Sequence, residues 1–564
     1  MNNHLLQQLP LTEPALEGEV LPSSMVKMVT LTQLEYIELK WQGEYWKAQH
    51  ARSLSREEAL KEELNQKDGM IRDLKQRLYG KKSEKGGSKA DVNSDAKDNH
   101  SKRPRGQQKG SASHGRTVRP NLPVIPEVIS LSETACVICG LEYSLFADEE
   151  SDIIEIEVAA HIRRIKRQRC AKNCTCTSGS RFITAPVPPK LIPKSPYGAS
   201  IWEEILLSKF LHAQPVNRTL SNFKSLGLTI SPGTVADNLK KRTPLFEPVY
   251  KAFHQKQMTE NRFHNDETRW EVYEQVEGKT GHRWYLWLTR SISVVYYRMD
   301  PTRSAEVPIT HFSDLISKTV IVICDRYRAY KKLARLNLSI TLAFCWAHVR
   351  RDFLDLARRH ADLNKWGLDC ADEISKLFHL NNQRIALWDP NLSLTWQSTQ
   401  FKEKHDALGK ALNEMKSRCD ALLEADKIAR AKKEKTPDVL VPAKRNVLLS
   451  LQNHWQGLMV FYEHPDVKMD NNPAEQSMRN PVLGRNGYYG SGSLSSAELA
   501  AMMFSIFQTM LLWNINPRAW LHFYFEACAQ NGGKSPDDLG AFLPWTMSES
   551  RRQQLSKPPD NNTS

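Results

Sequence analysis

Three acidic residues far apart in the chain each stand where a carboxylate could serve a shared metal pair. Asp266 lies in a β-rich run, Asp325 ends an apolar run, and Glu475 opens a helical run. Phosphoryl transfer through two divalent cations, roughly 4 Å apart, uses about three such oxygen-rich side chains. One ion activates the attacking hydroxyl and the other stabilises the leaving oxygen. A second set of residues is made of sulfur: Cys136-x2-Cys139, then Cys170, Cys174 and Cys176. Thiolates presented from two turns are what tetrahedral zinc takes. The expected ligands are Cys136, Cys139, Cys170 and Cys174, with Cys176 the alternative to Cys174.

The elements around the acids follow from periodicity. Residues 262–274 carry Phe263, Trp270, Val272 and Tyr273 in a β-like pattern, and a turn follows at Gly278-Lys279-Thr280-Gly281. Residues 282–289 and 292–299 are two further β-rich runs, so the three form an antiparallel meander. A helical stretch covers 304–316. Residues 319–324 are almost purely apolar, as a strand buried on both faces should be, and they end at Asp325. One more strand is expected over 340–344 and one more helix over 347–359. This β-β-β-α-β-α-β-α order is that of the ribonuclease H fold, an α/β class. Its first and fourth strands are neighbours, and ligand sites collect at the carboxyl ends of such strands. Asp266 and Asp325 can therefore face one metal pair, whereas Glu267 points to the opposite face.

The third acid sits in Asp470-Asn471-Asn472-Pro473-Ala474-Glu475. Asn472 suits a helix cap and Pro473 the first helical position. Glu475 then stands three residues past the cap, with Arg479 one turn further on the same face. Pattern alone leaves two readings open: a metal ligand, or the glutamate of a plain capping box.

At 564 residues the chain exceeds one hydrophobic core. Its net charge of +14 points to a polyanionic partner. The longest apolar run, 500–513, is shorter than a membrane span needs and contains Gln508 and Thr509. The N-terminus has no signal-peptide pattern, and crowded cysteines read as metal ligands in a reducing compartment, so a cytoplasmic protein is expected. Gly278-Lys279-Thr280 resembles part of a phosphate loop, but Tyr273 stands where the first glycine must be, so a hairpin turn explains it better.

Nine segments are expected. Residues 1–30 have no usable pattern and are read as poorly ordered. Residues 31–80 are read as a coiled-coil helix with a seam of Leu60, Leu64, Ile71, Leu74 and Leu78 interrupted by Lys67, through which copies self-associate, the alternative being one long amphipathic helix folded back on its own chain. Residues 81–126 are a basic linker whose Arg103 and Arg105 can meet phosphates. The zinc module spans 127–192. A helical region over 193–258 has helix-turn-helix spacing: 217–225, Gly227, then Ser231 capping a helix that Pro232 opens. Lys240 and Lys241 at its end can touch phosphates. The core occupies 259–360, a helical insertion 361–465, the completion of the core 466–530, and a tail 531–564.

Several motifs in order now resemble one family, the IS66-type insertion-sequence transposases. They are Arg77-Leu78-Tyr79-Gly80-Lys81-Lys82-Ser83-Glu84-Lys85, Arg103-Pro104-Arg105-Gly106-Gln107-Gln108 and Cys136-x2-Cys139, then His264-Asn265-Asp266-Glu267-Thr268. Cys345-Trp346-Ala347-His348-Val349-Arg350-Arg351, the Asp470–Glu475 motif and Leu543-Pro544-Trp545 complete the set. The resemblance implies a DDE transposase that binds the terminal inverted repeats of its element, cuts there and joins the ends to target DNA. It implies Asp266, Asp325 and Glu475 as a triad for two Mg²⁺ (or Mn²⁺) ions. It implies DNA or supporting contacts by His348, Arg350 and Arg351, with Arg479 and Arg485 beside them. Accessory proteins of the same element are a further implied partner. After Gly484-Arg485 the family usually has Lys-Asn-Trp, whereas this chain has Asn486-Gly487-Tyr488. A nuclease of the same fold that does not join ends, and a DNA-binding descendant without catalysis, are the alternatives.

Overall fold

The computed structural model describes residues 32–79, 138, 158–171, 173, 180, 182–317, 319–432 and 439–557. The chain divides into two compact units: Met1–Lys89 with Leu356–Asn364, and Ala90–Asp355 with Lys365–Ser564.

In the first unit, helix α1 runs from Gln33 to Tyr79. Its start is a reciprocal cap: Glu35 N–H donates to Thr32 Oγ1, and Thr32 N–H donates to Glu35 Oε2. Its described surface is almost wholly exposed, Leu60 and Leu64 included. Side chains of the lower seam, Ile71, Leu74 and Leu78, lie outside the described residues.

The second unit begins with a two-stranded ribbon, β1 (Arg169–Ala171) and β2 (Phe182–Thr184). Helices α2 (Ala199–Phe210), α3 (Val216–Ser225), α4 (Pro232–Arg242) and α5 (Glu247–Met258) follow. The Ser231 side chain caps α4 by accepting from Thr234 N–H, and Gly227 turns the chain at φ +84°. Next come β3 (Arg262–Glu271), β4 (Arg283–Arg290), β5 (Val295–Asp300), α6 (Glu306–His311), β6 (Val320–Cys324), α7 (Arg328–Leu336), β7 (Ile340–Phe344) and α8 (Trp346–Arg359). The inserted helices are α9 (Asn364–Ile385), α10 (Thr399–Ala431), α11 (Pro442–Asn453) and α12 (Trp455–Glu463). The chain closes with α13 (Asn472–Tyr488), α14 (Leu494–Leu512), α15 (Pro517–Gln530) and α16 (Glu549–Leu555).

Strands β3–β7 form one mixed sheet in the order β5-β4-β3-β6-β7. β3, β4 and β5 are antiparallel neighbours, while β3–β6 and β6–β7 are parallel. The apolar run of β6 is explained by burial on both faces. Val320, Val322 and Cys324 enter one core with α6 and α7, and Ile321 and Ile323 enter another with α8 and the inserted helices. A third core joins β4 and β5 to α2, α5, α14 and α15.

Helix α14 passes the length and hydropathy of a membrane span, and 67% of that window is buried inside the protein. It is longer than the apolar run visible in the sequence. Its polar residues have a structural task. Ser505 Oγ accepts from Tyr297 N–H and Thr509 Oγ1 from Val295 N–H, satisfying the outer edge of β5.

Candidate active site

Alternation along β3 decides which acid faces which helix. His264, Asp266 and Trp270 share one face, and Phe263 and Glu267 the other. On the second face Glu267 is 2% exposed and fully engaged. It accepts from Arg303 Nη2 at 2.6 Å and Nε at 3.0 Å, and from Tyr330 Oη at 2.6 Å. That carboxylate is spent on structure.

Asp266 faces the side that α13 covers. The parallel ladder pairs His264 with Ile323, so two residues further the register brings Asp266 level with Asp325. Asp325 directly follows β6, and its Oδ1 accepts from Tyr327 N–H at 3.0 Å as the chain turns into α7. Glu475 lies one turn into α13. Burial pushes the Asp266 carboxyl up to about 8, and the negative charges of Glu267, Asp325 and Glu475 push the same way. Asp325 and Glu475 are thus each within electrostatic reach of Asp266.

Helix α13 is held over β3 by a residue that pattern reading did not single out. Asn471 is 1% exposed. Its side-chain amide donates to the Asn265 carbonyl at 2.8 Å, its Oδ1 pairs with His264 Nδ1 at 3.0 Å, and its backbone N–H donates to Cys345 Sγ at 3.3 Å. Its carbonyl accepts from Glu475 N–H at 3.1 Å. Arg290 of β4 adds a clamp, donating to the Pro473 carbonyl at 2.9 Å and to Ser477 Oγ at 3.0 Å.

The helix cap falls one residue earlier than expected. Asn471 is the cap, and Asn472 turns its amide to Asp470 Oδ2 at 2.7 Å instead of closing the helix. No side-chain cap forms, so Glu475 is not the glutamate of a capping box. Its Oε1 is shielded from solvent and has no hydrogen-bond partner among the described residues. His348 Nε2 lies 3.9 Å away and Arg351 Nη2 4.0 Å away.

This arrangement fits divalent cations. Carboxylates on three elements bear on one another through Asp266, that carboxyl is driven toward protonation by burial and then by neighbouring charge, and one Glu475 oxygen is shielded without a hydrogen-bond donor among the described residues. Among the described residues, ligand atoms within 4.8 Å of one another are found for Cys345, His348 and Glu475, so the triad would have to draw closer to share a cation, which would relieve the burial and the repulsion.

The basic residues separate. His348 and Arg351 stand beside Glu475. Arg350 turns away, with Nε donating to Ser375 Oγ at 3.0 Å. Arg485 Nη1 binds Thr268 Oγ1 at 2.9 Å and the Arg269 carbonyl at 2.6 Å, so it braces α13 on β3. Arg479, Lys240 and Lys241 are exposed. Lys279 of the turn donates to the Pro301 carbonyl. Cys170 is exposed on β1, whereas Cys136, Cys139, Cys174, Cys176, Arg103 and Arg105 lie outside the described residues.

A family model described as "Transposase IS66 family" matches residues 194–499, more than half the chain, a span within which Asp266, Asp325 and Glu475 lie. Three proteins of Sinorhizobium fredii (strain NBRC 101917 / NGR234) are similar. "Uncharacterized protein y4hP" is 25% identical over 436 residues, 73% of each chain. "Uncharacterized protein y4jD" is 23% identical over 473 residues, 80% of this chain and 86% of its own length. "Uncharacterized protein y4qI" is 23% identical over 472 residues, 81% of this chain and 80% of its own. No solved structure matches.

Proposed function

The chain belongs to the IS66 family of transposases, and from that premise we propose that it cuts and joins DNA with Asp266, Asp325 and Glu475 holding two Mg²⁺ or Mn²⁺ ions in a ribonuclease H-like core. The observation that carries this is the Glu475 carboxylate, whose charge reaches Asp266 and whose shielded Oε1 has no hydrogen-bond partner among the described residues.

Bound divalent cations would supply an activated hydroxyl and charge neutralisation at the leaving oxygen. The chain's own groups do the rest. Asp266 and Asp325, fixed on adjacent strands, and Glu475, fixed by Asn471 and Arg290, set the geometry in advance. His348 and the half-exposed Arg351, close to Glu475, suit contact with a scissile phosphate. Hydrolysis at the element's end breaks a phosphodiester and frees a 3′ hydroxyl. That hydroxyl attacks a target phosphodiester in line, forming a new phosphodiester as the target strand's own 3′ oxygen leaves as a hydroxyl, with no covalent bond to protein.

The rest of the chain supports DNA handling. Exposed Lys240 and Lys241 end α4, whose pairing with α3 has helix-turn-helix spacing, and they suit the phosphates of terminal inverted repeats. Leu60 and Leu64, exposed on α1, suit self-association as a coiled coil. The cysteine spacing over 136–176 suits structural Zn²⁺. Accessory proteins of the element and a cytoplasmic location complete the reading. The test is strand transfer: full-length protein, Mg²⁺ and a duplex ending in the element's terminal repeat should give joined products, and D266N or D325N should give none. Undiminished joining by both variants would remove the triad.

A further inference from the structure

Cys345 is not used in the reaction just proposed, yet it lies beside the site. It immediately precedes α8 and is 1% exposed. Its sulfur accepts the backbone N–H of Asn471 at 3.3 Å, and burial pushes the thiol up to about 11. A cation bound there would have to displace the thiol proton. One ligand atom each from Cys345, His348 and Glu475 lies within 4.8 Å of the other two. Nδ1 of His348 and Oε1 of Glu475 are both shielded and lack hydrogen-bond partners among the described residues.

Sulfur, imidazole and carboxylate together are a different donor set from the all-oxygen triad. Mg²⁺ prefers oxygen and does not favour thiolate, whereas Zn²⁺ takes all three ligand types. Tetrahedral zinc spaces its donors by about 3.5 Å, so a change of rotamer at Glu475 closes the set.

We propose that Cys345, His348 and Glu475 form a second metal site, selective for a thiophilic divalent cation such as Zn²⁺, which withdraws Glu475 from the acidic triad when filled. The zinc–sulfur bond forms as the thiol proton leaves to solvent. Metal binding stands on the geometry alone, and only the inhibitory consequence rests on the triad reading.

Cobalt(II) titration of the full-length protein tests it, comparing wild type with Cys345→Ser. Serine keeps an acceptor at the start of α8, and unchanged melting shows that the fold is kept. Cysteines elsewhere contribute equally to both proteins. The expected result is one equivalent of Co²⁺ fewer in C345S, with weaker thiolate-to-cobalt absorption. The Zn²⁺ concentration that halves Mg²⁺-dependent cleavage should also rise about tenfold or more in C345S. Identical stoichiometry and spectra in the two proteins would overturn the site. Cleavage that survived E475Q would overturn the triad reading, and the cobalt difference would still uphold the metal site.

Discussion

The side-chain amide of Asn471 donates to the carbonyl of Asn265 at 2.8 Å, binding the residue before helix α13 to the residue before Asp266. The two ends of the proposed site are therefore coupled through backbone, although 206 positions separate the partners. Replacing Asn471 with alanine leaves the Asn265 carbonyl and His264 without their partner. Stability should fall by about 1–3 kcal/mol, the cost of unsatisfied buried polar groups. Cleavage should fall further than stability accounts for, because Glu475 loses its register. Denaturant unfolding and cleavage rates on the same preparation check this, and a loss of stability with undiminished cleavage would count against it.

Glu267 and Asp266 are adjacent and should behave as opposites. Glu267→Gln weakens charge-assisted bonds to Arg303 and Tyr330, so it should destabilise by about 1–3 kcal/mol. It should leave the number of bound Mn²⁺ ions unchanged. A drop in that number would place Glu267 among the ligands.

The metal-free protein should carry a pH signature of Asp266. Its carboxyl is pushed up to about 8 from the ordinary 3.8, first by burial and then by Glu267. The folded state therefore holds a proton that the unfolded state releases. The stabilising contribution is fully present below the unfolded value and is lost as pH rises through the folded value near 8. Melts in chelator should show wild type losing stability relative to D266N across that window. Parallel curves would contradict the assignment.

Glu475→Gln should not unfold the metal-free protein. Its Oε1 has no hydrogen-bond partner among the described residues, its ion pairs to His348 and Arg351 are long at 3.9 and 4.0 Å, and one like charge beside Asp266 disappears. Melting in chelator should be equal to or above that of wild type, while Mg²⁺-dependent cleavage drops about a hundredfold or more. A strong loss of stability would make Glu475 a structural residue.

Local pattern carried the elements around the site. The continuous apolar run is β6, and alternation alone along β3 puts Asp266 and Glu267 on opposite faces. The expected helix over 304–316 is shorter, Glu306–His311, because the chain leaves the helix at Phe312 to bury that ring against Phe263. Two things were not legible. The joint at Asn471 depends on partners about 200 positions away, and an asparagine before a proline reads locally as a cap. The engagement of Arg485 with β3 was hidden for the same reason, since an arginine gives no local sign of whether it meets a phosphate or a carbonyl.

The most direct measurement counts Mn²⁺ ions bound to the full-length protein by electron paramagnetic resonance, in wild type, D266N, D325N and E475Q. If the three carboxylates share a metal pair, wild type binds two ions and each variant loses at least one or binds about tenfold more weakly or worse. Wild-type stoichiometry and affinity in all three variants would show that these acids hold no metal.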